Sequence, residues 1–394
     1  MLSLSTALLM VTLPCLAHAQ DTVPPDADEL KALEERVTRL ETAPAKTFLS
    51  QFNPAMGLAL DFALLDRDDK ADFQFRAAEI NLEASVDPFV KGWAIVNGSE
   101  GGVEVEEAAL ETTSLPWNLT VRGGRLFASF GRFPHYHGHE LPVIETPNSI
   151  DTFVNGESRG EGLEVSYLFP TDFYLSATAG VFDQIGAEND RLDIAVARPF
   201  EDFTYLGRLN AGADLGDDHS LELGISEAWT PKRTMVEDAT VTGSPFATAT
   251  RKGTWRALTG LDLTYRYHPS SGGLYKGVVW GTEVFVNNEQ RFDPATRLPT
   301  DRVRAFSGYS YAWIKLGRRW RPGLMGDLTE DLDSARKLTK TYTAFLSCDV
   351  TEYQRLRLSF SRREDNVPGT LVSNTIGLQW TGVLGYHVHG FRDR

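Results

Sequence analysis

Three of the eight histidines of this chain lie in one short segment, His135-Tyr136-His137-Gly138-His139-Glu140. In an extended chain alternate side chains point to the same side, so the three imidazoles would share one face. Neutral imidazoles bind zinc and copper, and the Glu140 carboxylate adds an oxygen ligand. The spacing therefore predicts transient binding of a divalent metal ion by His135, His137 and His139. The alternative interpretation is three solvated loop histidines, because a short histidine-rich tract is compositional information only.

Opposed charges predict a second kind of site, a passage that runs between acidic and basic side chains. Segment 131–159 carries the acidic candidates, which are Glu140, Glu145, Asp151 and Glu157. The basic candidates lie on other segments and are Arg122, Arg125, Arg355 and Arg357. Facing rows of opposite charge would orient water and polar solutes across a channel. The simpler alternative is that inward arginines pair with carboxylates of neighbouring strands, such as Glu79, Glu83 and Glu164, and make the sheet rigid.

The elements that must position these residues are strands, because apolar and polar residues alternate along much of the chain. Leu221-Glu222-Leu223-Gly224-Ile225-Ser226 shows the pattern. A period of two gives each strand one apolar and one polar face. In 353–363 it places Phe360 towards lipid and Arg355 and Arg357 towards the interior. Unpaired buried charge is costly, so we expect these charges to face a water-filled interior.

The number of turns and loops in the sequence predicts how many strands the chain forms and that the sheet closes into a barrel. Seven short connections alternate with eight longer polar ones, and together they join sixteen strands. An even strand number with both chain ends on the short-turn side is typical of bacterial outer-membrane barrels. The predicted fold is therefore all-β, a 16-stranded antiparallel transmembrane β-barrel. The short turns are predicted near 87–88, 114–116, 170–172, 216–218, 269–272, 317–319 and 349–351, and the longer connections near 65–71, 98–102, 131–159, 183–203, 230–253, 288–303, 329–337 and 364–370.

The residues ahead of the barrel predict export and a short helix. Leu2 to Leu16 is mostly apolar but too short to span a bilayer, and Ala17-His18-Ala19 is a small-x-small cleavage site, so 1–19 is predicted to be a signal peptide. In 20–46, apolar residues at spacings of three and four predict a short periplasmic helix or coiled coil, followed by a linker. The barrel then occupies 47–394.

Composition and missing motifs argue against several other classes. The net charge of −15 argues against nucleic acid as a partner, since a phosphate backbone is bound by clustered Lys and Arg. After the signal, no apolar run reaches the length of a transmembrane helix. The chain has no H-E-x-x-H helix, nucleophile elbow, phosphate loop or C-x-x-C pair, so we expect it not to be an enzyme.

The layout as a whole, with a long third connection, indicates a known class. Besides this layout, two stretches of the sequence carry the likeness, Phe52-Asn53-Pro54-Ala55-Met56-Gly57-Leu58 and Gly123-Gly124-Arg125-Leu126-Phe127. In both respects the chain resembles the 16-stranded outer-membrane porins of the phosphate-selective type. The resemblance implies a bacterial outer-membrane location, contact with lipid and lipopolysaccharide, a homotrimer, and a third loop folded into the pore. The chain departs from that type in its third loop, which is acidic and histidine-rich where phosphate-selective porins carry rows of Arg and Lys.

The function expected from these observations is a porin, a water-filled channel for passive diffusion of small hydrophilic solutes or ions, without a resident cofactor. Two alternatives from other classes remain. One is a zinc or copper binding or uptake channel that uses the histidine-rich third loop. The other is a structural barrel that organises the envelope through its N-terminal coiled coil.

Overall fold

The computed structural model describes residues 54–186, 200–236, 249–290, 301–332, 337–366 and 372–385. Within them, sixteen antiparallel strands form one closed barrel, in which each strand pairs with its neighbours in the chain and β1 pairs with β16. The predicted 16-stranded all-β architecture is confirmed. The strands are β1 (Ala55–Arg67), β2 (Lys70–Ser85), β3 (Val90–Ser99), β4 (Gly102–Thr112), β5 (Leu119–Phe127), β6 (Arg159–Leu168), β7 (Tyr174–Phe182), β8 (Thr204–Asp214), β9 (His219–Val236), β10 (Ala249–Tyr267), β11 (Lys276–Glu289), β12 (Val303–Leu316), β13 (Trp320–Glu330), β14 (Leu338–Thr351), β15 (Gln354–Asp365) and β16 (Ser373–Gly385).

The segments predicted ahead of the barrel are not part of this description. The signal peptide over 1–19 and the helix and linker over 20–46 lie outside the described residues, as do 47–53. Among the described residues, no helix is long and apolar enough to cross a membrane.

Side-chain burial along the strands is the reverse of that in a soluble protein. On β15, Arg357 is 1% exposed and faces the interior, whereas Phe360 on the opposite face is 47% exposed. On β10, Asp262 and Thr264 are buried while Leu261 is exposed. The predicted facing of 353–363 is confirmed, and β10 follows the same alternation. An apolar outer surface around a polar interior is the arrangement of a barrel surrounded by lipid.

The seam between the first and last strands is closed by main-chain pairing and by polar side chains inside the barrel. Asp61 on β1 lies opposite Thr381 on β16. The buried Asp61 carboxylate accepts hydrogen bonds from Thr381 Oγ1 at 2.7 Å, Gln379 Nε2 at 2.9 Å and Arg76 Nε at 2.9 Å. These donors compensate the cost of burying the charge and link β16, β1 and β2.

Three of the predicted longer connections are wrong in length. β9 runs to Val236 and β10 begins at Ala249, both inside the predicted 230–253. Only Asp68-Asp69 separates β1 from β2, and only Glu100-Gly101 separates β3 from β4. Asp68 and Asp69 have φ of 52° and 64°, the left-handed values of a two-residue hairpin turn. The polar clusters at 65–71 and 98–102 correctly predicted where the chain reverses, but not how short the connections are. Aspartate tolerates left-handed backbone, so a two-residue turn can form and the strands continue almost to it. Six of the seven short turns lie where they were predicted; the seventh, predicted at 349–351, lies at 352–353, because β14 continues to Thr351.

The connection between β5 and β6, residues 128–158, folds into the barrel and is called the third loop below. It contains short 3-10 turns at Phe133–His135 and Gly138–Glu140 and helix α1 at Asn148–Val154. Its buried aromatic residues pack on inward side chains of β11 and β12; the pairs are Phe130 on Phe285 at 6.1 Å between ring centroids, Phe133 on Tyr309 at 5.2 Å, and Phe153 on Phe285 at 6.4 Å. One part of the interior is therefore an apolar core, where the strand charges had predicted water. The alternation along the strands did not indicate this core, because one partner of each of these ring pairs lies in the loop.

Candidate functional site

The root of the third loop is held by a buried carboxylate on β11. The backbone amides of Arg132 and Phe133 donate to Glu283 Oε1 and Oε2 at 2.8 and 3.3 Å, and the amide of Gly131 donates to Ser226 Oγ at 3.1 Å. Gly131 has φ of +65°, and a Cβ atom there would lie 2.0 Å from Glu283 Oε1. Glycine is therefore required at 131 both by the backbone conformation and by the close approach.

The two arginines predicted on β5 lie on opposite faces of that strand. Arg122 faces the interior, where its guanidinium contacts Glu164 and donates to Ser129 Oγ at 3.0 Å. Arg125 pairs with the exposed Glu161 at 3.3 Å. Residues three apart in a strand point to opposite sides, so Arg125 lies on the outer face. Arg122 holds the start of the loop, and Glu164 is its partner as the simpler alternative expected.

Helix α1 is fixed at both ends by the barrel wall. At its first turn, Ser149 donates from its backbone amide and its hydroxyl to Asp327 Oδ2 on β13, at 3.1 and 2.5 Å. At its last turn, the Phe153 carbonyl accepts a hydrogen bond from Arg256 Nη2 on β10 at 2.7 Å. A carboxylate at the N-terminus and a guanidinium at the C-terminus both complement the helix dipole. The helix therefore has one defined position across the barrel.

Arginines on β13 and β15 form a basic wall, defined here as Arg321, Arg355 and Arg357. Arg357 donates to the Val143 carbonyl of the third loop at 3.2 Å and to Gln379 Oε1 at 2.6 Å. Arg321 and Arg355 both contact the Asp349 carboxylate. Two of the predicted lumen arginines, Arg355 and Arg357, thus lie side by side facing the middle of the loop.

A cavity of about 440 Å³ separates the third loop from the strands on the side of the long connections. Glu145 and Asp151 of the loop border it. The facing charged side chains of the wall are Arg67, Asp327, Arg363 and Asp365. A second space, towards the short turns, encloses only about 20 Å³ and is bordered by Glu140 and the basic wall. That volume holds about one water molecule. The larger, polar space is called the vestibule below, and the small space beside Arg357 is called the constriction.

The pKa of Asp151 is raised to about 6, because the side chain is partly enclosed within the barrel and faces the negative charges of Asp327 and Glu145. Asp151 is nevertheless solvent-exposed in the vestibule. The Asp151 carboxylate therefore gains a proton as the pH falls through about 6.

Opposite the basic wall, the loop meets an acidic wall, defined here as Glu79 on β2 and Glu106 and Glu107 on β4. His137 Nδ1 lies 3.0 Å from Glu106 Oε2 and 3.7 Å from Glu79 Oε2, and its Nε2 lies 3.3 Å from Glu107 Oε1. His139 Nδ1 lies 3.0 Å from Glu79 Oε1. All five side chains are buried, with at most 4% exposure.

A β-bulge allows two consecutive glutamates to face the same histidine. The pairing of β3 with β4 matches Ile95 to Glu107 and Val96 to Val105, so that Glu106 is the extra residue. An extra residue interrupts the period of two and lets neighbours share a face. Sequence reasoning named Glu79 as an interior residue but missed Glu106 and Glu107. The adjacent acidic pair, which breaks the alternation, is the signal that indicates such a bulge.

Charge at the acidic wall raises the pKa values of the loop histidines. Burial alone would lower the pKa of His137, but the charge of Glu79 and the hydrogen bonds of Glu106 and Glu107 outweigh it, so the pKa lies well above its usual value. The pKa of His139 is raised in the same way, chiefly by Glu79. Burial, reinforced by Glu106, raises the pKa of Glu157 to about 7.

The three predicted histidines do not share one face. The rings of His137 and His139 lie 5.8 Å apart, but the ring of His135 packs on Tyr136, with 5.0 Å between the ring centroids, and His135 is not in the group of ligand atoms that Glu79, Glu106 and His137 form. The 3-10 turns at Phe133–His135 and Gly138–Glu140 bend this segment, so the alternation of an extended chain does not apply to it.

No family model matches the chain. An uncharacterized protein of Aquifex aeolicus (strain VF5) is 27% identical over 412 residues, which cover 90% of this chain and 82% of that protein. The solved structure of OmpT, an outer membrane protein of Vibrio cholerae, in its trimer form aligns with a TM-score of 0.53 at 11% identity, over 84% of this chain and 99% of that one. The fold is that of a porin barrel.

Two further solved structures support this assignment of the fold. An anion-selective porin from Comamonas acidovorans aligns with a TM-score of 0.51 at 11% identity, over 85% of this chain and 99% of that one. Salmonella typhi OmpF, in a complex with daunomycin, aligns with a TM-score of 0.52 at 10% identity, over 86% of this chain and all (100%) of that one. The predicted resemblance to 16-stranded porins is confirmed for the fold.

Proposed function

We propose that this protein is an outer-membrane porin that lets small hydrophilic solutes and ions diffuse through a water-filled channel. The observation that carries the proposal is the third loop, which crosses a closed barrel and leaves a polar cavity between its carboxylates and the arginines of the strands. A loop held by Glu283, Asp327 and Arg256 restricts the passage without closing the vestibule. Passive selection by size and charge is what such a geometry can perform.

The setting of this channel follows from its outer surface and from the proteins that share its fold. The exposed apolar side chains on the strands suit the lipid and lipopolysaccharide of a bacterial outer membrane. A trimer is the form in which the Vibrio cholerae protein was described, and we propose a homotrimer here as well.

The vestibule favours cations and neutral solutes over phosphate. Its acidic side chains, Glu145, Asp151, Asp327 and Asp365, outnumber its two arginines, Arg67 and Arg363. Arg67 Nη2 already pairs with Glu145 Oε1 at 2.5 Å, and Arg363 lies 3.5 Å from Asp365. Paired guanidiniums attract a dianion only weakly, so the phosphate-selective type does not suit this cavity.

The channel is tested by single-channel recording of the purified protein in planar lipid bilayers. We expect stepwise, ohmic conductance in potassium chloride. In a salt gradient we expect the reversal potential to shift towards the equilibrium potential of potassium. Absence of any conductance from correctly folded protein would overturn the porin proposal and favour a structural role in the envelope.

A further inference from the structure

We infer that Glu79, Glu106 and His137 form a binding site for a divalent metal ion of the zinc class, which ties the third loop to the barrel wall. One ligand atom from each of the three side chains lies within 4.8 Å of the others. The ligands come from β2, from β4 and from the loop, so an ion at this position would bridge three separate segments.

The spacing of the ligand atoms fits a tetrahedral ion. Ligands bound at about 2.0 to 2.2 Å in a tetrahedron stand about 3.4 Å apart. His137 Nδ1 lies 3.0 Å from Glu106 Oε2 and 3.7 Å from Glu79 Oε2, on either side of that value. One nitrogen and two carboxylate oxygens are a ligand set that zinc accepts, with a fourth position for water or for a neighbouring carboxylate.

The charge of the region favours a bound cation. The acidic wall places three buried carboxylates around the imidazole of His137, so negative groups outnumber the nitrogen ligand at this position. Arg76, on the same strand as Glu79, pairs with Asp61 at 2.9 Å, and Arg159 on β6 pairs with Glu104 at 3.2 Å. Uncompensated buried charge is strongly destabilising, and a divalent ion supplies the compensation.

The residues around the three ligands orient them. Asn97 Nδ2 donates to Glu106 Oε1 at 2.6 Å, and His139 Nδ1 contacts Glu79 Oε1 at 3.0 Å. In both glutamates one oxygen is thus held by a neighbour while Oε2 is directed at His137. Partners of this kind fix the direction of metal ligands and raise their affinity.

The site would cross-link the structure rather than transport the ion. His137 is 1% exposed and Glu79 is 2% exposed, and neither lies on the vestibule. The ion would act on the half of the loop that contacts the acidic wall, away from the apolar contacts of Phe133 and Phe153. This inference concerns a fold contact and does not depend on the proposed channel function.

Zinc binding to the folded full-length protein in detergent tests the inference. His387 and His389 lie outside the described residues, so all proteins compared carry His387→Ala and His389→Ala to keep that segment out of the measurement. After treatment with EDTA and exposure to micromolar zinc chloride, bound zinc is measured by elemental analysis of the gel-filtered protein. We expect about one zinc ion per chain, and cobalt in its place should give the intense visible absorption of a tetrahedral site.

The ligand variants are His137→Ala and Glu106→Gln, and the matched control is His135→Ala, which removes a histidine of the same loop outside the cluster. We expect zinc affinity to fall about 100-fold or more in both ligand variants and to stay unchanged in the control. Heat-modifiable gel mobility identifies folded barrels, and Glu106→Gln keeps the size of the side chain in case His137→Ala does not fold. No zinc on the parent protein, full binding by folded Glu106→Gln, or equal loss in His135→Ala would overturn the inference.

Discussion

The two walls that the third loop touches carry opposite charges and use them differently. On the acidic wall, Glu79, Glu106 and Glu107 contact His137 and His139 in a closed, buried cluster. On the basic wall, Arg321 and Arg355 are held by Asp349 of the neighbouring strand, and Arg357 reaches the loop only through a main-chain carbonyl.

This comparison assigns a different role to each wall: the acidic wall holds the loop in place, and the basic wall acts on solutes. Ionic contacts that are fully buried restrict the loop because neither partner can exchange its contact for water. The arginines of the basic wall are equally buried, at 5% exposure or less, but they line the narrow space of about 20 Å³ and therefore act on an ion that enters it. We therefore expect changes in the acidic wall to alter stability and changes in the basic wall to alter ion selectivity.

Replacement of His137 by alanine should have the largest effect. The variant leaves three buried carboxylates without this imidazole, and we expect the free energy of unfolding to fall by about 3 kcal/mol. Urea unfolding followed by tryptophan fluorescence, in detergent with EDTA, measures the loss without any bound metal. His135→Ala should cost less than about 0.5 kcal/mol, and a similar loss in both variants would show that the acidic wall does not hold the loop.

Replacement of Gly131 by alanine should displace the root of the loop from Glu283. The alanine would have to adopt a left-handed φ and approach the carboxylate too closely, at a cost of about 2 kcal/mol. We expect larger and noisier single-channel conductance, because the loop then restricts the lumen less. Gly207→Ala on β8, where the space around a Cβ atom is open, is the control. Unchanged conductance in Gly131→Ala would contradict this role of the loop root.

Replacement of Arg357 by alanine should shift selectivity towards cations. Loss of one positive charge at the constriction changes the energy of a passing ion by about 1 kcal/mol, or about fivefold in the permeability ratio of potassium to chloride. Reversal potentials in a salt gradient measure this ratio. The control is Arg362→Ala, which removes an exposed arginine from the outer face of the same strand and should leave the permeability ratio unchanged. An equal shift in both variants would show that Arg357 does not act on ions in the pore.

Lowering the pH should produce the smallest of these effects, a change in the preference of the channel for cations. The pKa of Asp151 is about 6, so the carboxylate is ionised at pH 7.5 and largely protonated at pH 5. Cation preference should therefore fall as the pH decreases, by about twofold, since Asp151 is exposed in the vestibule and screened by salt. Asp151→Asn should lose this pH dependence, whereas Asp217→Asn, in a short turn at the other end, should retain it. A pH dependence that persists in Asp151→Asn would assign it to another group.

The strands of the barrel were largely predictable from the alternation of apolar and polar residues. Alternation along β10 and β15 places Asp262 and Arg357 inside because a strand has a period of two whatever surrounds it. The same rule, applied strictly, also places Arg122 and Arg125 on opposite faces. The sequence alone therefore determined the strand number, the sidedness of the sheet and the length of the loop available to fold inward.

Tertiary structure alone decided the contacts of the third loop. His137 meets Glu79 and Glu106 from strands far away in the chain, and Glu283 meets the amides at 132 and 133 from still farther. Such contacts leave no periodic trace, because they depend on closure of the barrel and on two 3-10 turns that break the extended geometry. The histidine tract indicated that this loop carries chemistry, but only the closed barrel brought its partners within reach.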